Sequence, residues 1–328
     1  MHKYDPTPGL SPDSRAALDL VLGPLDPGVF FEDIFEERFH LITRGEPGRF
    51  SELVSVDVVD RFIADSELFS GMIDATRAEP RITRDAFTLD NDRIDRSALL
   101  RLYQDKATII APHLHGYHKP LGDFVRALEP VFSASLQTNI YLTPPGARGF
   151  RTHYDNHDVF VLQVSGAKSW RLYDEPVGRP FRGEGFVPDK HEIGEPEEEF
   201  VLGAGDTVYI PRGMMHDAES HPEEASLHIT LGLVTKTWAD VVLEAISKAA
   251  LETDGLRRAL PAGYANADFD RAPAREQFRQ FIAELKRPAF ERAMNGEAFT
   301  KAELPGISEE DATDMLHRLI SRGLIRPE

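Results

Sequence analysis

Between residues 135 and 234 the sequence alternates short apolar runs with turn residues, and few architectures accommodate such a pattern. Apolar and polar residues that alternate with a period of two, bounded by Gly, Pro or Asp, are typical of half-buried strands. The turn at Ser165–Ala167 predicts a hairpin between the runs on either side of it. Many short strands at this spacing predict an antiparallel barrel or sandwich. The runs are SLQTNIYLTP (135–144), DVFVLQV (158–164), SWRLYD (169–174), FVLGAGDTVYIP (200–211) and SLHITLGLV (226–234).

Helical patterns flank this β region on both sides. Residues 30–45 predict a helix followed by a strand that ends at Gly45, whereas 66–110 favours no single element. Ser55 stands where it can cap the helix that follows it. Apolar residues at helical spacing predict helices at 13–22, 55–65, 120–132, 238–252, 275–287 and 307–323.

Composition narrows the function classes. The chain has 328 residues, which favours one large domain plus a smaller one. It contains no cysteine, so disulfides, thiolate nucleophiles and cysteine-bound metals are excluded, and any metal must be bound by imidazole and carboxylate groups. A net charge of −18 disfavours nucleic-acid binding and favours a basic partner. No apolar run is long enough for a membrane helix, and the N-terminus lacks a signal sequence, so we expect a cytoplasmic protein.

The segment THYDNHDVF presents two candidate metal ligands. In an extended strand, residues two apart project from the same face, so His153 and Asp155 would lie side by side. After the break at Pro211–Gly213, His216 can supply the second imidazole of a facial triad, which suits non-haem iron and leaves positions open. His157 shares the predicted face and competes as a ligand. Zinc hydrolase chemistry could use the same ligand types.

The surrounding residues resemble a known family. The run NIYLTPPGARGFRTHYDNHDVFVLQVSGAKSWRLYD, followed by GDTVYIPRGMMH and SLHITLG, is similar to the JmjC-type ribosomal oxygenases of the cupin-4 group. The resemblance implies an α+β fold with a mainly β core, a double-stranded β-helix or jelly roll. It also implies four parts, a flexible tail (1–15), a JmjC/cupin catalytic domain (16–234), a helical linker or dimerisation segment (235–262) and a winged-helix-like domain (263–328).

The same resemblance assigns roles to individual residues. His153, Asp155 and His216 match the family's iron ligands, and Lys168 matches the residue that anchors the distal carboxylate of 2-oxoglutarate. A buried dianion needs such a charge partner. Further cosubstrate contacts are expected from three residues, of which Tyr141 also fits a core aromatic: Asn139, Tyr141 and Thr230. Trp170 and Phe160 are assigned to core packing. At Asn156 and His157 the chain departs from the family, whose members carry acidic or apolar residues there.

The resemblance implies an iron(II)- and 2-oxoglutarate-dependent dioxygenase that uses O2 to hydroxylate an arginine or histidine side chain of a protein. The expected partner is a basic protein segment, in particular one of a ribosomal protein, with no nucleic acid, no membrane and a homodimeric state. Two alternatives stay open, an oxygenase of peptides or small molecules on the same scaffold, and a non-catalytic metal-binding cupin that acts as a sensor.

Overall fold

The structure, a computed structural model, describes residues 6–252 and 254–284. The chain divides into two compact units, Met1–Thr235 and Lys236–Glu328. The first unit contains all ten strands of the described residues. They are β1 (His40–Ile42), β2 (Asp74–Thr76), β3 (Thr108–Pro112), β4 (Ser135–Thr143), β5 (Asp158–Ser165), β6 (Lys168–Leu172), β7 (Glu198–Leu202), β8 (Thr207–Ile210), β9 (His216–Ser220) and β10 (Ser226–Val234).

The strands form two antiparallel sheets. The large sheet has the order β1-β8-β5-β10-β4-β3-β2, and the small sheet has the order β7-β6-β9. Val159 and Val161 of β5 pack against Trp170 and Leu172 of β6, so the two sheets face each other across a shared apolar layer. This arrangement confirms the predicted antiparallel β core.

The predicted hairpin at Ser165–Ala167 is wrong. β5 pairs with β8 and β10 of the large sheet, whereas β6 pairs with β7 and β9 of the small sheet. The turn therefore carries the chain from one sheet to the other. Gly166 has a φ of +63°, and a Cβ there would lie 2.0 Å from the Ala225 carbonyl oxygen, so only glycine fits this crossing.

Helices surround the large sheet on its outer side. The predicted helices near 13–22, 55–65 and 120–132 are confirmed, and the Ser55 hydroxyl accepts a hydrogen bond from the Val58 amide at 3.3 Å, as a helix cap does. Those of the first unit are α1 (Pro12–Leu22), α2 (Pro27–Val29), α3 (Val56–Asp65), α4 (Arg96–Gln104) and α5 (Lys119–Phe132). α1 begins three residues before the expected end of the tail.

Two stretches differ from their predictions. After α2 the chain forms one π-helical turn at Phe30–Ile34, and β1 ends at Ile42 rather than at Gly45. Within 66–110, where no element was predicted, the structure has β2, α4 and β3. β2 has three residues and α4 has nine, lengths at which periodicity carries little signal.

The main core lies between these helices and the outer face of the large sheet. Phe30, Phe124 and Leu128 pack with Phe160 and Ile140 in one apolar cluster. Burial of each such side chain contributes about 1.5–3 kcal/mol to folding. Phe160 thus packs in this core and Trp170 in the layer between the sheets, as predicted.

The second unit contains α6 (Trp238–Glu252) and α7 (Ala272–Glu284) in its described part. The predicted helix at 238–252 is confirmed. The end of the helix predicted at 275–287, the helix predicted at 307–323 and most of the winged-helix-like segment lie outside the described residues. Among the described helices, none has the length and apolar character that crossing a bilayer requires.

Candidate metal centre

His153, Asp155 and His216 come together at one end of the space between the sheets. Their ligand atoms all lie within 4.8 Å of one another, and among the described residues no other group of three His, Asp or Glu side chains does this. The His216 Nε2 atom is 3.8 Å from the Asp155 Oδ2 atom. Two imidazoles and one carboxylate are the donor set of a facial triad.

The local structure behind this cluster differs from the prediction. His153 and Asp155 lie in an irregular segment before β5, not on a strand. An isolated bridge fixes this segment, in which the His153 amide donates to the His216 carbonyl at 3.1 Å and the His216 amide donates to the His153 carbonyl at 2.8 Å. The backbone itself therefore joins the two histidines, although 63 residues of sequence separate them.

Each imidazole is oriented by a carbonyl oxygen. His153 Nδ1 lies 2.8 Å from the Arg151 carbonyl, and His216 Nδ1 lies 3.1 Å from the Met214 carbonyl. A carbonyl only accepts, so both Nδ1 atoms carry the proton and both Nε2 atoms keep a free lone pair. Metal-binding histidines usually donate the N–H that faces away from the metal to such an oxygen, which fixes the orientation of the ring.

The charges of the cluster suit a metal cation. Burial lowers the pKa of His216 to about 4, with a further contribution from His153. Burial raises the pKa of Asp155, but His216, His153 and His157 outweigh it, so the pKa lies below its ordinary value. At neutral pH the His216 imidazole is neutral and the Asp155 carboxylate is charged, the forms in which these groups bind metals.

A buried carboxylate next to His216 clamps the two ligand-bearing segments. Asp217 accepts hydrogen bonds from Thr152 and Tyr173, both at 2.7 Å, and forms ion pairs of 2.7 Å with Arg148 and Arg171. Burial raises the pKa of Asp217, but these donors lower it below its ordinary value. Since Thr152 precedes His153 and Asp217 follows His216, this network fixes the spacing of the triad.

Lys168 lies on the inner face of β6, with only 5% of its surface exposed. Burial lowers the pKa of its amine to about 7, and no carboxylate pairs with it in the described part of the chain. Leu172 stands opposite His216 in the small sheet, so Lys168 is four residues away along β6, roughly 13 Å. An unpaired amine is thus buried on the same face of the small sheet as His216, one of the three candidate metal ligands.

Asn139, Tyr141 and Thr230 face the same interior from the large sheet. Asn139 pairs with Thr230 in the register of β4 and β10, and the Thr230 hydroxyl donates to the Asn139 carbonyl at 3.3 Å. Burial and the nearby Asp155 raise the pKa of Tyr141, whose hydroxyl also bonds the Thr230 and Asn139 side chains. Tyr141 is therefore not a purely apolar core residue, because its polar end points toward the metal cluster.

Aromatic rings line the space around these groups. Six side chains form a closed ring of contacts, with centroid separations of 4.7 to 6.2 Å. In order around the ring they are His153, His216, Trp170, His228, Tyr141 and Phe150. The ring joins the metal cluster to the inner faces of both sheets.

Sequence reasoning missed the unsatisfied polar atoms of this interior. Three buried atoms have no hydrogen-bond partner among the residues that the structure describes: Gln163 Oε1, Trp170 Nε1 and His228 Nδ1. His228 pairs with Tyr141 and Gln163 across β10, so these three side chains share a face with Thr230. Burial lowers the pKa of His228 well below its ordinary value, and Lys168 lowers it further. Alternation along SLHITLG, counted from Thr230, could have placed His228 on that face.

His157, the competing ligand, is not part of the cluster. Its Nδ1 atom lies 3.2 Å from the Asp158 carbonyl, and its ring packs against Gly232, where a Cβ would come within 2.9 Å of the imidazole. His157 therefore lines the interior beside β10, outside the cluster.

Comparisons with known proteins find one family model, several relatives and several solved structures. A family model described as "JmjC domain" matches residues 120–241. A bifunctional lysine-specific demethylase and histidyl-hydroxylase NO66 of Drosophila mojavensis is 31% identical over 76% of this chain. Its counterpart in Drosophila willistoni is 32% identical over the same share. The chain spans 29% and 33% of the length of these two relatives.

Solved structures share the fold at lower identity. The structure of ycfD of Escherichia coli has a TM-score of 0.53, with 16% identity over 90% of this chain and 79% of that chain. YcfD described as a ribosomal oxygenase in complex with cobalt and 2-oxoglutarate has a TM-score of 0.52, with 17% identity over 83% of this chain and 70% of that chain.

Proposed function

We propose that this chain, which carries a JmjC domain at residues 120–241, is an iron(II)- and 2-oxoglutarate-dependent oxygenase. His153, Asp155 and His216 would hold the iron. The proposal rests above all on the conjunction of this cluster with the unpaired Lys168 on the same inner face. A metal site alone would suit many chemistries, whereas a buried amine without a carboxylate calls for an anionic ligand.

The interior fits 2-oxoglutarate by its donor set. Lys168 would pair with the distal carboxylate, and Asn139, Tyr141 and Thr230 would supply amide and hydroxyl groups. Trp170 and His228 each hold a ring nitrogen that has no partner in the described chain. A bound dianion would satisfy groups that are otherwise buried at a cost of about 1–3 kcal/mol each.

Iron(II) and 2-oxoglutarate, when bound, supply the oxidising power for hydroxylation with O2. The chain contributes orientation and exclusion of water. Asp217 holds the two histidine segments in place, and the six aromatic and imidazole side chains in mutual contact line the interior around the cluster. No side chain of the cluster needs to act as a general base.

We propose a protein as the substrate, with an arginine or histidine of a ribosomal protein as the modified residue. The NO66 relatives are named histidyl-hydroxylases, and the YcfD structures carry the description ribosomal oxygenase. The net charge of −18 favours a basic protein segment by long-range attraction. A ribosomal substrate in turn favours a cytoplasmic location.

For the second unit we propose a homodimerisation segment at 235–262 followed by a winged-helix-like domain at 263–328. The support is the apolar surface of α6, where Trp238 is 62% exposed and Leu251 is 78% exposed. Isolated apolar residues need no explanation, but several on one helix mark an interaction surface. Val242, Leu243 and Ile246 are exposed on the same helix.

The experiment is turnover of 2-oxoglutarate by purified chain loaded with iron(II), together with mass spectrometry of added ribosomal proteins. We expect succinate release and the mass of one added oxygen atom on an arginine or histidine. His153→Ala should abolish both signals, and His221→Ala, an exposed histidine outside the cluster, should leave both unchanged. Succinate without a modified protein would favour a small-molecule substrate, and no succinate would leave the sensor alternative.

A further inference from the structure

A cation-lined cavity of about 380 Å³ lies outside the metal centre. Its lining includes four cations, Arg77, Lys106, Arg148 and Arg151, and one carboxylate, Glu79. We call it the cationic cavity. In a chain with a net charge of −18, a depression with four cations and one acid runs against the general charge balance.

Two of the four cations are already paired. Arg148 forms an ion pair with Asp217, and Arg151 forms one with Glu79, each at 2.7 Å. The other two bond only carbonyl oxygens, Arg77 that of Asp105 at 2.7 Å and Lys106 that of Pro145 at 2.7 Å. Within the described residues Arg77 and Lys106 have no carboxylate partner, so the cavity keeps an uncompensated positive charge.

Hydrogen bonds fix the cavity to the segment that carries the metal ligands. The Ala78 amide donates to the Arg148 carbonyl at 3.0 Å, and the Thr76 hydroxyl donates to the Gly149 carbonyl at 3.1 Å. Arg151 is two residues from His153, so their Cα atoms are at most about 7 Å apart. The cavity wall and the metal centre are thus parts of one continuous backbone segment.

An exposed aromatic ring lies on the segment that carries both cavity residues and a metal ligand. Phe150 is 39% exposed and its ring centroid is 5.5 Å from that of His153. Along the segment Phe150 stands between the cavity cations Arg148 and Arg151, and His153 follows two residues later. A ligand that crosses this segment meets the cations, the aromatic ring and the metal centre.

We propose that the cationic cavity binds a carboxylate side chain of the same polypeptide that presents a residue to the metal centre. This inference rests on the proposed function. An extended peptide rises about 3.3 Å per residue, so the acidic side chain stands within about five residues of the modified one. Binding at the cavity sets the register of the bound peptide, because it selects which residue of a basic segment reaches the iron.

A carboxylate on a polypeptide fits better than a phosphate backbone. A nucleic acid would bring many charges to a chain of −18, and affinity for it depends on neutralising several phosphates at once. Two unpaired cations at one cavity suit one anionic group. The guanidinium of Arg77 and the ammonium of Lys106 both match a carboxylate.

The test measures binding of a series of labelled peptides to the full chain by fluorescence anisotropy. Each peptide carries an adjacent arginine and histidine and one glutamate, placed at each spacing up to about five residues, in a Gly/Ser background. Matched peptides carry glutamine instead. We expect one spacing at which the glutamate peptide binds about three- to tenfold more tightly than its glutamine partner, as two exposed ion pairs allow.

Variants separate the cavity from general charge effects. The double variant Arg77→Gln with Lys106→Gln should remove the glutamate preference. Lys106→Gln alone should reduce this preference, and because Lys106 is exposed this single variant keeps the fold intact. Lys119→Gln with Arg126→Gln on α5 makes the same charge change at residues that do not line the cavity, and the preference should persist.

Equal binding of glutamate and glutamine peptides at every spacing overturns the proposal, as does a preference that survives in the Arg77/Lys106 variant. Tighter binding of a short single-stranded RNA, lost in that variant, also overturns it and assigns the cavity to phosphate. Succinate release with the same peptides distinguishes a failure of the proposed function from a failure of the role proposed for the cationic cavity. If no peptide supports turnover, the proposed function fails. If both peptide types support turnover equally, only the role of the cavity fails.

Discussion

Asp217 and Lys168 are buried charged groups on neighbouring strands of the small sheet, and their surroundings differ completely. Asp217 has two hydroxyl donors and two arginines, whereas Lys168 has no carboxylate partner in the described residues. The pKa of Asp217 is lowered, which favours its charged form. The pKa of Lys168 is also lowered, which favours its neutral form. The first group is complete within the chain, and the second is arranged for something the chain does not supply.

The same contrast extends to their neighbours. The hydroxyls of Thr152 and Tyr173 donate hydrogen bonds to Asp217. On the face of the sheets that carries Lys168, by contrast, three side chains of the described residues have a polar atom without a hydrogen-bond partner: Gln163, Trp170 and His228. Buried polar groups in folded proteins are nearly always paired, so a cluster of exceptions marks a ligand site. We therefore expect Asp217 to stabilise the metal centre and Lys168 to bind a ligand. The following predictions test that division.

The largest effect is expected at the metal cluster. His216→Ala removes one of three ligands, and we expect loss of iron binding and a fall of more than about 100-fold in succinate release. Even the loss of a residue that only hydrogen-bonds a metal ligand costs about 10–100-fold. Iron content and turnover measured on the purified variant check this. Retention of stoichiometric iron by the variant would contradict the assignment of His216.

Asp217→Asn should destabilise the fold most. It leaves Arg148 and Arg171 without their shared carboxylate, and we expect a loss of about 3 kcal/mol in the free energy of unfolding, measured by urea titration. Asp123→Asn on α5 removes an exposed carboxylate that also pairs with two cations, and it should leave the unfolding midpoint nearly unchanged. Similar midpoints for the two variants would break the comparison.

Because of Lys168, the free energy of unfolding should depend on pH in the alkaline range. Its pKa is about 7 in the folded, ligand-free chain against 10.5 for the ordinary amine, so between these values the unfolded chain binds a proton that the folded chain does not. The free energy of unfolding therefore rises from about pH 7 to about pH 10.5, by on the order of 2–4 kcal/mol. Lys168→Met should lack this rise, and identical pH profiles for the two chains would argue that the amine is solvated.

Lys168→Met should also weaken the cosubstrate. Loss of a charged hydrogen bond of about 1.5–3 kcal/mol raises the KM for 2-oxoglutarate about ten- to a hundredfold, while the unliganded variant folds at least as stably as the parent. Lys119→Met, at an exposed lysine on α5, is the control and should leave this KM unchanged. An unaltered KM in Lys168→Met would remove Lys168 from the site.

The smallest effect is expected at His228. His228→Phe keeps the stacking on Tyr141, whose ring centroid is 4.8 Å away, but removes the unsatisfied Nδ1 atom. We expect about a two- to tenfold rise in the KM for 2-oxoglutarate, the range of one neutral hydrogen bond. Steady-state kinetics check this, and a lower KM would show that the nitrogen is only a packing defect.

The residue pattern predicted which side chains come together better than it predicted the local structure around them. His153, Asp155 and His216 were recognisable as a donor set, yet the strand assumed for the first two is an irregular segment held by a bridge to His216. At Gly166 the sequence predicts a hairpin where the chain changes sheets, because a glycine turn has the same sequence pattern whether or not the strands beside it pair. Pairing between strands is set by contacts distant in sequence, which no local pattern carries.

For the same reason the partners of the site were invisible. In the sequence nothing distinguishes Asp217 from other acidic residues, because its partners Thr152, Arg148 and Arg171 come together only in the fold. Likewise, nothing in the sequence shows that His228 pairs with Tyr141 across neighbouring strands. Lys168 was found only through the family resemblance. Its lack of a partner is a property of the folded chain alone.

The most direct test is an anaerobic titration of 2-oxoglutarate into the iron(II)-loaded chain, followed by visible absorption. Chelation of iron(II) by the keto acid produces a charge-transfer band, and we expect it to saturate at one equivalent in the parent chain. It should need far more 2-oxoglutarate in Lys168→Met and be absent in His216→Ala. An iron-loaded parent chain that shows no band at any concentration would contradict a site in which the triad and Lys168 act together.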